Sequence, residues 1–200
     1  MTADAPDSLD VPSPVSWPRR VADLVLRPPV EADLDGVLRW RRLPEVTRWL
    51  LRTEVDEVAM RDRLRGARDP HDHSCVVLLG DDPVGMGYLE VVDGMGQDGE
   101  EAHRRSEGLL GWNLAPQVWG RGYGTMVARE LVAIAFGELR LRRVTAGCFA
   151  DNMASWKVME KVGMRREQHG VRDSWHAELG WVDGFTYAML RDEWDGVAGR

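Results

Sequence analysis

The feature that most constrains this chain is a glycine-rich turn between an apolar run and a helical pattern. The apolar run, residues 109–114, predicts a strand that ends before a proline, because proline cannot donate a hydrogen bond to a sheet. Gly120, Gly122 and Gly124 then alternate directly before a helical pattern over 126–139. The N–H groups of such a turn and the positive end of the helix can together hold phosphate. The alternative interpretation is an ordinary strand-to-helix turn.

This glycine loop, residues 120–125, does not fit two common nucleotide-binding patterns. The Walker motif is excluded because no Gly-Lys-Ser/Thr follows. The pattern G-x-G-x-x-G fails because Thr125 or Val127 stands where the last glycine is needed. A loop without its own lysine suits a pyrophosphate held mostly by backbone amides. Glycine is required because a Cβ atom would block left-handed backbone angles and the close approach of an anion.

The remaining periodicity predicts a mixed α/β domain around one twisted sheet. We expect the domain to cover residues 20–194, between an N-terminal tail (1–19) that is disordered or loosely docked and a C-terminal tail (195–200). Predicted strands lie at 24–26, 74–79, 84–92, 109–114, 142–149, 164–171 and 181–190, and predicted helices at 31–41, 45–51, after Thr53, at 126–139 and at 153–162. The polar segment 93–107 is a candidate lid or substrate loop, with an inert insertion as the alternative.

Composition excludes several classes of protein. A net charge of −7 argues against a general nucleic-acid binder and is compatible with a cationic or amine substrate. Cys75 and Cys148 lie in apolar runs and are expected to be reduced core residues of a cytoplasmic protein. No apolar run of membrane-spanning length and no signal peptide is seen.

The segment His71-x-His73-x-Cys75 offers metal-ligand side chains at a spacing that is poor for a structural zinc site. No second pair of cysteines or histidines follows it. We therefore predict no metal, and a loop that enters a strand.

Two patches together resemble one enzyme family. The segment Asn-Leu-Ala-Pro-Gln-Val-Trp-Gly-Arg-Gly-Tyr-Gly-Thr (113–125) resembles the acyl-CoA pyrophosphate loop of the GNAT acetyltransferase superfamily. Asn-Met-Ala-Ser-Trp-Lys-Val-Met-Glu-Lys-Val-Gly-Met (152–164) resembles its Asn-x-x-Ser … Lys-x-Gly-Phe segment. Trp-Gly-Arg-Gly-Tyr, and Gly180-Trp-Val-Asp183 … Tyr187, are most similar to the ribosomal-protein N-terminal acetyltransferase branch. The resemblance covers residues 22–194 and implies a strongly twisted sheet flanked by helices and splayed at the acyl-CoA-binding strand.

The loop departs from the family pattern Arg/Gln-x-x-Gly-x-Gly/Ala. The pattern can start at Gln117 or at Trp119, and the second alignment matches the branch and puts Gly124 where alanine is common. That alignment leaves no Arg or Gln at the first position, which favours a backbone role for the loop. Met164 replaces the usual aromatic residue, a conservative change in a core.

The resemblance implies acetyl transfer from acetyl-CoA, as co-substrate, to a primary amine by direct attack in a ternary complex. It places carbonyl polarisation on the main chain near Asn113 and Leu114, freed where the strand splays from its neighbour at a bulge. The pyrophosphate would be held by the glycine loop with Arg121 as an extra charge, and pantetheine would be reached by Asn152. The implied cofactor-binding residues are Asn113, Leu114, Trp119, Gly120, Arg121, Gly122, Tyr123, Gly124, Thr125 and Asn152.

The catalytic side chains are less constrained. Ser155 is the candidate acid toward the CoA thiolate, and the alternative is that Asn152 is a helix cap and Ser155 a first-turn residue. Glu90 is the first candidate base and Glu107 the second. Asp173, Glu178, His169, His176 and a water relay without an essential carboxylate are further options.

Two other functions remain open at this point. A non-catalytic acyl-CoA-binding regulatory module would keep the fold without transfer, and an NAD enzyme fits poorly because the dinucleotide pattern fails. The acceptor is expected to be a small-molecule amine or a peptide N-terminus, and cationic acceptors such as polyamines or aminoglycosides are compatible with the acidic net charge. No nucleic-acid or membrane partner is expected, and a homodimer is left open.

Overall fold

One eight-stranded sheet organises the molecule. The computed structural model describes residues 15–65, 69–99 and 101–198. The strand order is β1-β2-β3-β4-β5-β6-β8-β7, and only β5 and β6 are parallel neighbours. The strands are β1 (Arg19–Val21), β2 (Leu24–Arg27), β3 (Cys75–Leu79), β4 (Asp82–Val92), β5 (Glu107–Leu114), β6 (Arg143–Phe149), β7 (Arg165–His176) and β8 (Gly180–Leu190). The predicted mixed α/β class is confirmed.

Helices cover both faces of this sheet. They are α1 (Leu34–Arg41), α2 (Pro44–Thr47), α3 (Glu57–Arg65), α4 (Tyr123–Ala133), α5 (Met153–Lys161) and α6 (Arg191–Ala198). A Cβ built on Gly87 of β4 would lie 3.2 Å from Val127 of α4, so Gly87 faces α4. Successive strand residues point to opposite faces, so Tyr88 lies on the other face, which α1 covers. We call these the α4 face and the α1 face.

The sheet splays between its two parallel strands. β5 and β6 pair only at Glu107↔Arg143, Gly108↔Val144 and Leu109↔Thr145, although both strands continue beyond these pairs. Each strand then leads into a helix, β5 into α4 through the glycine loop and β6 into α5. The predicted splay is confirmed, and it opens a cleft between the carboxyl ends of β5 and β6.

The splay arises without a bulge in β5. The register between β4 and β5 runs unbroken from Gly85↔Leu114 to Val92↔Glu107. The recorded register shifts fall between Val77 and Leu78 and within β7. The divergence of β6 from β5 therefore frees the backbone of β5.

Several element bounds differ from the sequence prediction. The helix after the glycine loop begins at Tyr123 and continues as a π-helical turn over Ile134–Glu138. β7 extends to His176, five residues past its predicted end, and its mostly exposed side chains lack the apolar alternation that marks a strand. Both β1 and α6 were missed.

Residues 15–19, the last part of the predicted N-terminal tail, contact the folded domain. Residues 1–14 of the predicted tail lie outside the described residues. Val15 and Trp17 pack against the core, and the Arg19 side chain pairs with Glu130 and Glu138 of the α4 region. At the other end, α6 overlaps the predicted C-terminal tail, of which residues 199–200 lie outside the described residues. Among the described residues, no helix is long and apolar enough to cross a bilayer.

Candidate functional site

The glycine loop adopts the backbone that its sequence predicts at two of its three glycines. Gly120 has φ +75° and Gly122 has φ +80°, both in the left-handed region. Gly122 is the N-cap of α4, and Gly124 already lies inside the helix. A Cβ on Gly124 would meet Val158 at 3.5 Å, an ordinary contact, so this position tolerates alanine.

The loop presents a row of unsatisfied backbone donors. Among the described residues, the N–H groups of residues 120–124 donate to no protein acceptor. The N–H groups of Thr125 and Met126 instead donate to the Gly122 carbonyl at 3.0 and 3.2 Å. Five adjacent free donors at a helix N-terminus form an arrangement suited to an anion of several oxygens. Thr125, which was predicted to bind the cofactor through the loop, has only its hydroxyl left to offer.

The strand that enters the loop turns alternate backbone groups toward the cleft. The Ala115 N–H donates to the Val84 carbonyl at 2.8 Å, so Ala115 faces β4. In an antiparallel pair this orientation alternates, so Asn113 also faces β4, while Trp112 and Leu114 face the side of β6. Because β6 has already diverged, these N–H groups border the cleft. Of the two residues predicted to polarise the carbonyl through the main chain, the geometry favours Leu114 over Asn113. Trp112 has the same orientation as Leu114.

Trp119 and Tyr123 anchor the two ends of the loop. The Trp119 indole N–H donates to the Leu114 carbonyl at 2.7 Å, and 48% of this residue is exposed at the cleft. The Tyr123 hydroxyl donates to the Asp23 carboxylate, which ties the start of α4 to the turn between β1 and β2. Arg121, between two of the loop glycines, is exposed and adds a positive charge to the loop.

The second predicted patch lies across the cleft at the start of α5. The Asn152 side-chain oxygen accepts from the Ser155 N–H at 3.2 Å, as in a helix cap. Burial raises the pKa of the Cys148 thiol on β6 to about 11, although the Ser155 hydroxyl acts in the opposite direction. Cys148 is therefore a neutral thiol at physiological pH, and the cap geometry leaves the Asn152 amide nitrogen for a ligand.

The two candidate carboxylates occupy different surroundings. Glu107 sits where β5 and β6 are still paired, and its carboxylate bonds to both Arg142 and Arg143. It is five residues from Trp112, about 17 Å along the strand, and is not brought to the cleft. Glu90 lies opposite Leu109 on the α1 face, exposed, and about 10 Å along the strand from Trp112.

The histidines and late-loop acids are engaged elsewhere. His176 is buried, its Nε2 lies 2.8 Å from the Arg48 carbonyl, and its Nδ1 accepts from the Glu178 and Leu179 N–H groups. Both ring nitrogens are thus occupied by the β7–β8 turn and the segment after α2. His169 pairs with Asp183 at 2.6 Å on β7 and β8. The Glu178 carboxylate pairs with Arg48, and Asp173 bonds to Ser174.

Sequence analysis missed a polar cluster on the α1 face next to the cleft. The Asn113 amide nitrogen donates to the Tyr88 hydroxyl at 3.3 Å. Burial lowers the pKa of Arg41, which belongs to α1 on the same face of the sheet. Arg41 falls on the inner stripe of the first predicted helix, but the pairing of β4 with β5, which brings Tyr88 and Asn113 to one face, was not predicted from the sequence.

The predicted cysteines and histidines do not converge. Cys75 is fully buried on β3, and a Cβ on Gly87 would lie 2.9 Å from its sulfur. Within residues 15–65, 69–99 and 101–198, no three His, Cys, Asp or Glu side chains are grouped so that they could hold a metal ion.

Comparison with known proteins agrees with this geometry. A model of the acetyltransferase (GNAT) domain matches residues 23–165. The uncharacterized N-acetyltransferase YnaD of Bacillus subtilis is 34% identical over 86 residues, which are 43% of this chain and 50% of YnaD. The chain thus spans half the length of that relative. The uncharacterized N-acetyltransferase p20 of Bacillus licheniformis is 24% identical over 180 residues, 86% of this chain and 96% of p20.

A solved structure extends the likeness to the fold. The ribosomal-protein-S5-alanine acetyltransferase of Vibrio fischeri superimposes with a TM-score of 0.73 at 14% identity, over 90% of this chain and 99% of that protein. At this identity the likeness concerns the fold. Because the domain model covers well over half of the residues, the chain belongs to the GNAT acetyltransferase family.

Proposed function

We propose that this protein transfers an acetyl group from acetyl-CoA to a primary amine, on a small molecule or at a protein N-terminus, by direct attack in a ternary complex. The observation that carries the proposal is the row of five free N–H donors at residues 120–124, beside a cleft bordered by the free N–H groups of β5. Membership of the family supports an acetyl-CoA-dependent acyltransferase, and the identity of the acceptor amine is the part that we propose.

The glycine loop is proposed to bind the pyrophosphate of CoA. Its donors need no rearrangement, because Gly120 and Gly122 already hold left-handed angles that point successive N–H groups outward. The N-terminus of α4 and the Arg121 guanidinium add positive charge on the same side. We therefore assign cofactor binding chiefly to the backbone of residues 120–124.

The cleft between β5 and β6 is proposed to hold the pantetheine arm and the thioester. The N–H groups of Trp112 and Leu114 face it, and either can donate to the thioester carbonyl oxygen as negative charge develops there. The Asn152 amide nitrogen, on the opposite wall, can donate to a pantetheine carbonyl. The Leu114 carbonyl already accepts from the Trp119 indole, so Trp119 shapes the entrance of the cleft.

The reaction itself requires one proton to leave the amine and a C–S bond to break. The amine nitrogen attacks the carbonyl carbon, the C–N bond forms, and the CoA thiolate leaves. Glu90, which lies on the α1 face and is exposed, is proposed to accept the amine proton through water. Ser155, in the first turn of α5, is proposed to stand near the leaving sulfur. Glu107 is not proposed as the base, because its carboxylate pairs with Arg142 and Arg143 away from the cleft.

The proposal is tested by calorimetry with acetyl-CoA followed by a thiol-release screen against amines and peptides. We expect acetyl-CoA to bind with a Kd in the micromolar range and at least one amine to release thiol in equal amount to acetylated product. Binding of acetyl-CoA without thiol release across the panel would favour the non-catalytic acyl-CoA-binding module instead. Stabilisation by NAD with none by acetyl-CoA would contradict both.

A further inference from the structure

Two buried polar atoms next to the cleft lack partners. Of the side chains that the structure describes, only Arg41 Nη1 and Asn113 Oδ1 are buried nitrogen or oxygen atoms without a hydrogen bond. The Tyr88 hydroxyl accepts from the other end of the Asn113 amide, and Arg41 belongs to α1, which packs against β4 on the same face. A buried unsatisfied donor and acceptor are both costly, and they are uncommon in folded proteins.

We infer that Arg41, Tyr88 and Asn113 form an acceptor subsite that binds a carboxylate or carbonyl oxygen of the amine substrate. The inference rests on the proposed function and deepens it by naming the acceptor class. Arg41 is the specificity-determining residue of this subsite, and the acceptor is an amine that carries such an oxygen within a few bonds of its nitrogen.

Position relative to the thioester supports this assignment. Tyr88 is paired with Gly111, and Asn113 lies between Trp112 and Leu114, whose N–H groups border the cleft. At about 3.3 Å per strand residue, Asn113 lies about 3 Å along β5 from Trp112 and from Leu114, and Gly111, the partner of Tyr88, lies about 3 Å from Trp112 and about 10 Å from Leu114. The polar cluster lies on the α1 face of the sheet, whereas the glycine loop leads into a helix on the α4 face. Acceptor and CoA would thus approach the cleft from different faces.

The neighbouring elements hold Arg41 in place for this role. Its Nη2 donates to the Arg52 carbonyl at 2.8 Å, which ties the guanidinium of α1 to the segment after α2. The other terminal nitrogen, Nη1, is buried without a hydrogen-bond acceptor among the described residues. An Arg guanidinium stays protonated in proteins and presents its donors in a rigid fork, so the free N–H favours an oxygen acceptor. Asn113 Oδ1 is the complementary acceptor for an N–H of the same ligand.

The charge of this subsite discriminates between amines. A guanidinium beside the reacting amine disfavours acceptors that carry additional ammonium groups nearby, because like charges repel in a partly desolvated site. The net charge of −7 is compatible with polycationic acceptors, but it is spread over the molecule. The local charge at Arg41 is closer to the reaction and decides against polyamines. The positive charge of Arg41, and not the net negative charge of the protein, therefore indicates which amines are accepted.

The test uses matched amines that share a side chain and differ in the oxygen group, with rates compared per unprotonated amine because this group also changes the pKa of the amine. Leucine, leucinamide and isoamylamine form one set, and phenylalanine, phenylalaninamide and phenethylamine form another; a leucyl peptide and spermidine complete the panel. The full-length protein is assayed for thiol release with saturating acetyl-CoA, and the same amines are compared by thermal shift in the presence of CoA. The free amino acids and the amides distinguish a carboxylate from a carbonyl as the bound group.

We expect oxygen-bearing amines to exceed their matched alkylamine in kcat/KM by at least about 10-fold, since a charge-assisted hydrogen bond is gained. Arg41→Met should remove this ratio through KM for the acceptor and leave KM for acetyl-CoA unchanged. Arg41→Lys, which keeps the charge, should retain part of the ratio and guards against loss of the fold. Arg39→Met is the matched control, because Arg39 lies on the same helix and pairs with Asp82 at the surface.

The outcomes separate the two proposals. Failure to bind acetyl-CoA would count against the proposed function. Binding of acetyl-CoA together with preferred acetylation of spermidine, or equal responses within each matched set in both assays, would overturn the acceptor inference alone. A ratio that Arg41→Met and Arg39→Met change equally would also overturn it.

Discussion

At the scale of single residues, the three loop glycines are not equivalent although they alternate in the sequence. Gly120 and Gly122 have positive φ angles, and Gly124 has helical geometry. Alternation in the sequence identified the loop, but it could not show which glycines carry the strained angles. That depends on where α4 begins, and Tyr123 starts the helix three residues before the sequence pattern does.

This difference predicts opposite results for two alanine substitutions. Gly122→Ala should destabilise the protein by about 1–2 kcal/mol, the cost of a left-handed residue with a Cβ, and weaken acetyl-CoA binding about 10-fold as the loop donors turn away. Gly124→Ala should be neutral or stabilising by up to about 1 kcal/mol, because alanine favours a helix and its Cβ meets only ordinary contacts. Urea unfolding and calorimetry with CoA measure both effects.

The paired comparison guards against a general effect of adding a methyl group to the loop. Equal affinity for CoA in the two variants would contradict the assignment of the pyrophosphate to the left-handed part of the loop. Loss of affinity in Gly124→Ala alone would place the close approach of the ligand at the first turn of α4.

At the scale of elements, the sequence predicted those whose patterns are set by burial. The β3–β4 hairpin, β5, β6, α1, α5 and β8 were found within a few residues, because each has one face in the core. β1, the end of β7 and α6 were not: β1 is only three residues long, and the mostly exposed β7 has no apolar alternation.

The site divides in the same way. The glycine loop is local in sequence and could be predicted. The Arg41–Tyr88–Asn113 cluster joins α1, β4 and β5, so only the register of the sheet reveals it. Glu90 and Glu107 were predicted as the first and second candidate base, and the pairing of β5 with β6 shows that Glu107 lies at the paired end of the two strands.

The closed end of the splay gives a prediction about these two carboxylates. Glu107 bridges β5 to β6 through Arg143, which also pairs with Glu167 on β7. The Glu107 side chain is only 13% exposed. Glu107→Gln should therefore lower the free energy of unfolding by about 1 kcal/mol, less in high salt, and leave kcat within about twofold. Glu90→Gln should leave stability within about 0.5 kcal/mol and lower kcat about 100-fold.

Urea unfolding at low and high salt and a pH–rate profile distinguish these roles. An unmoved pH–rate profile in Glu90→Gln would remove Glu90 as the base and favour a water relay. A large loss of kcat in Glu107→Gln, with stability unchanged, would contradict the structural role of the ion-pair cluster.

At the scale of the whole molecule, the question is where the folded unit begins. The sequence placed the boundary at residue 20, because prolines precede it and no periodic pattern does. Trp17 packs against the core, and the Ser16 N–H donates to Glu138 at 2.7 Å. Arg19 pairs with Glu130 at 2.7 Å, and β1 adds an edge strand beside β2. These contacts reach the helix that follows the glycine loop, so residues 15–21 support the scaffold of the proposed cofactor site.

We therefore predict that Trp17→Ala lowers the free energy of unfolding by about 2 kcal/mol, below the cost of a fully buried tryptophan because the residue is only partly buried. Trp181→Ala, on a residue that is 60% exposed on β8, is the matched control and should cost less than about 1 kcal/mol. The measurement is urea unfolding with the slope compared between variants. A single transition with an unchanged slope and a lowered midpoint would mean that residues 15–21 unfold together with the domain. Equal losses in both variants, or no loss in Trp17→Ala, would return the boundary to residue 20.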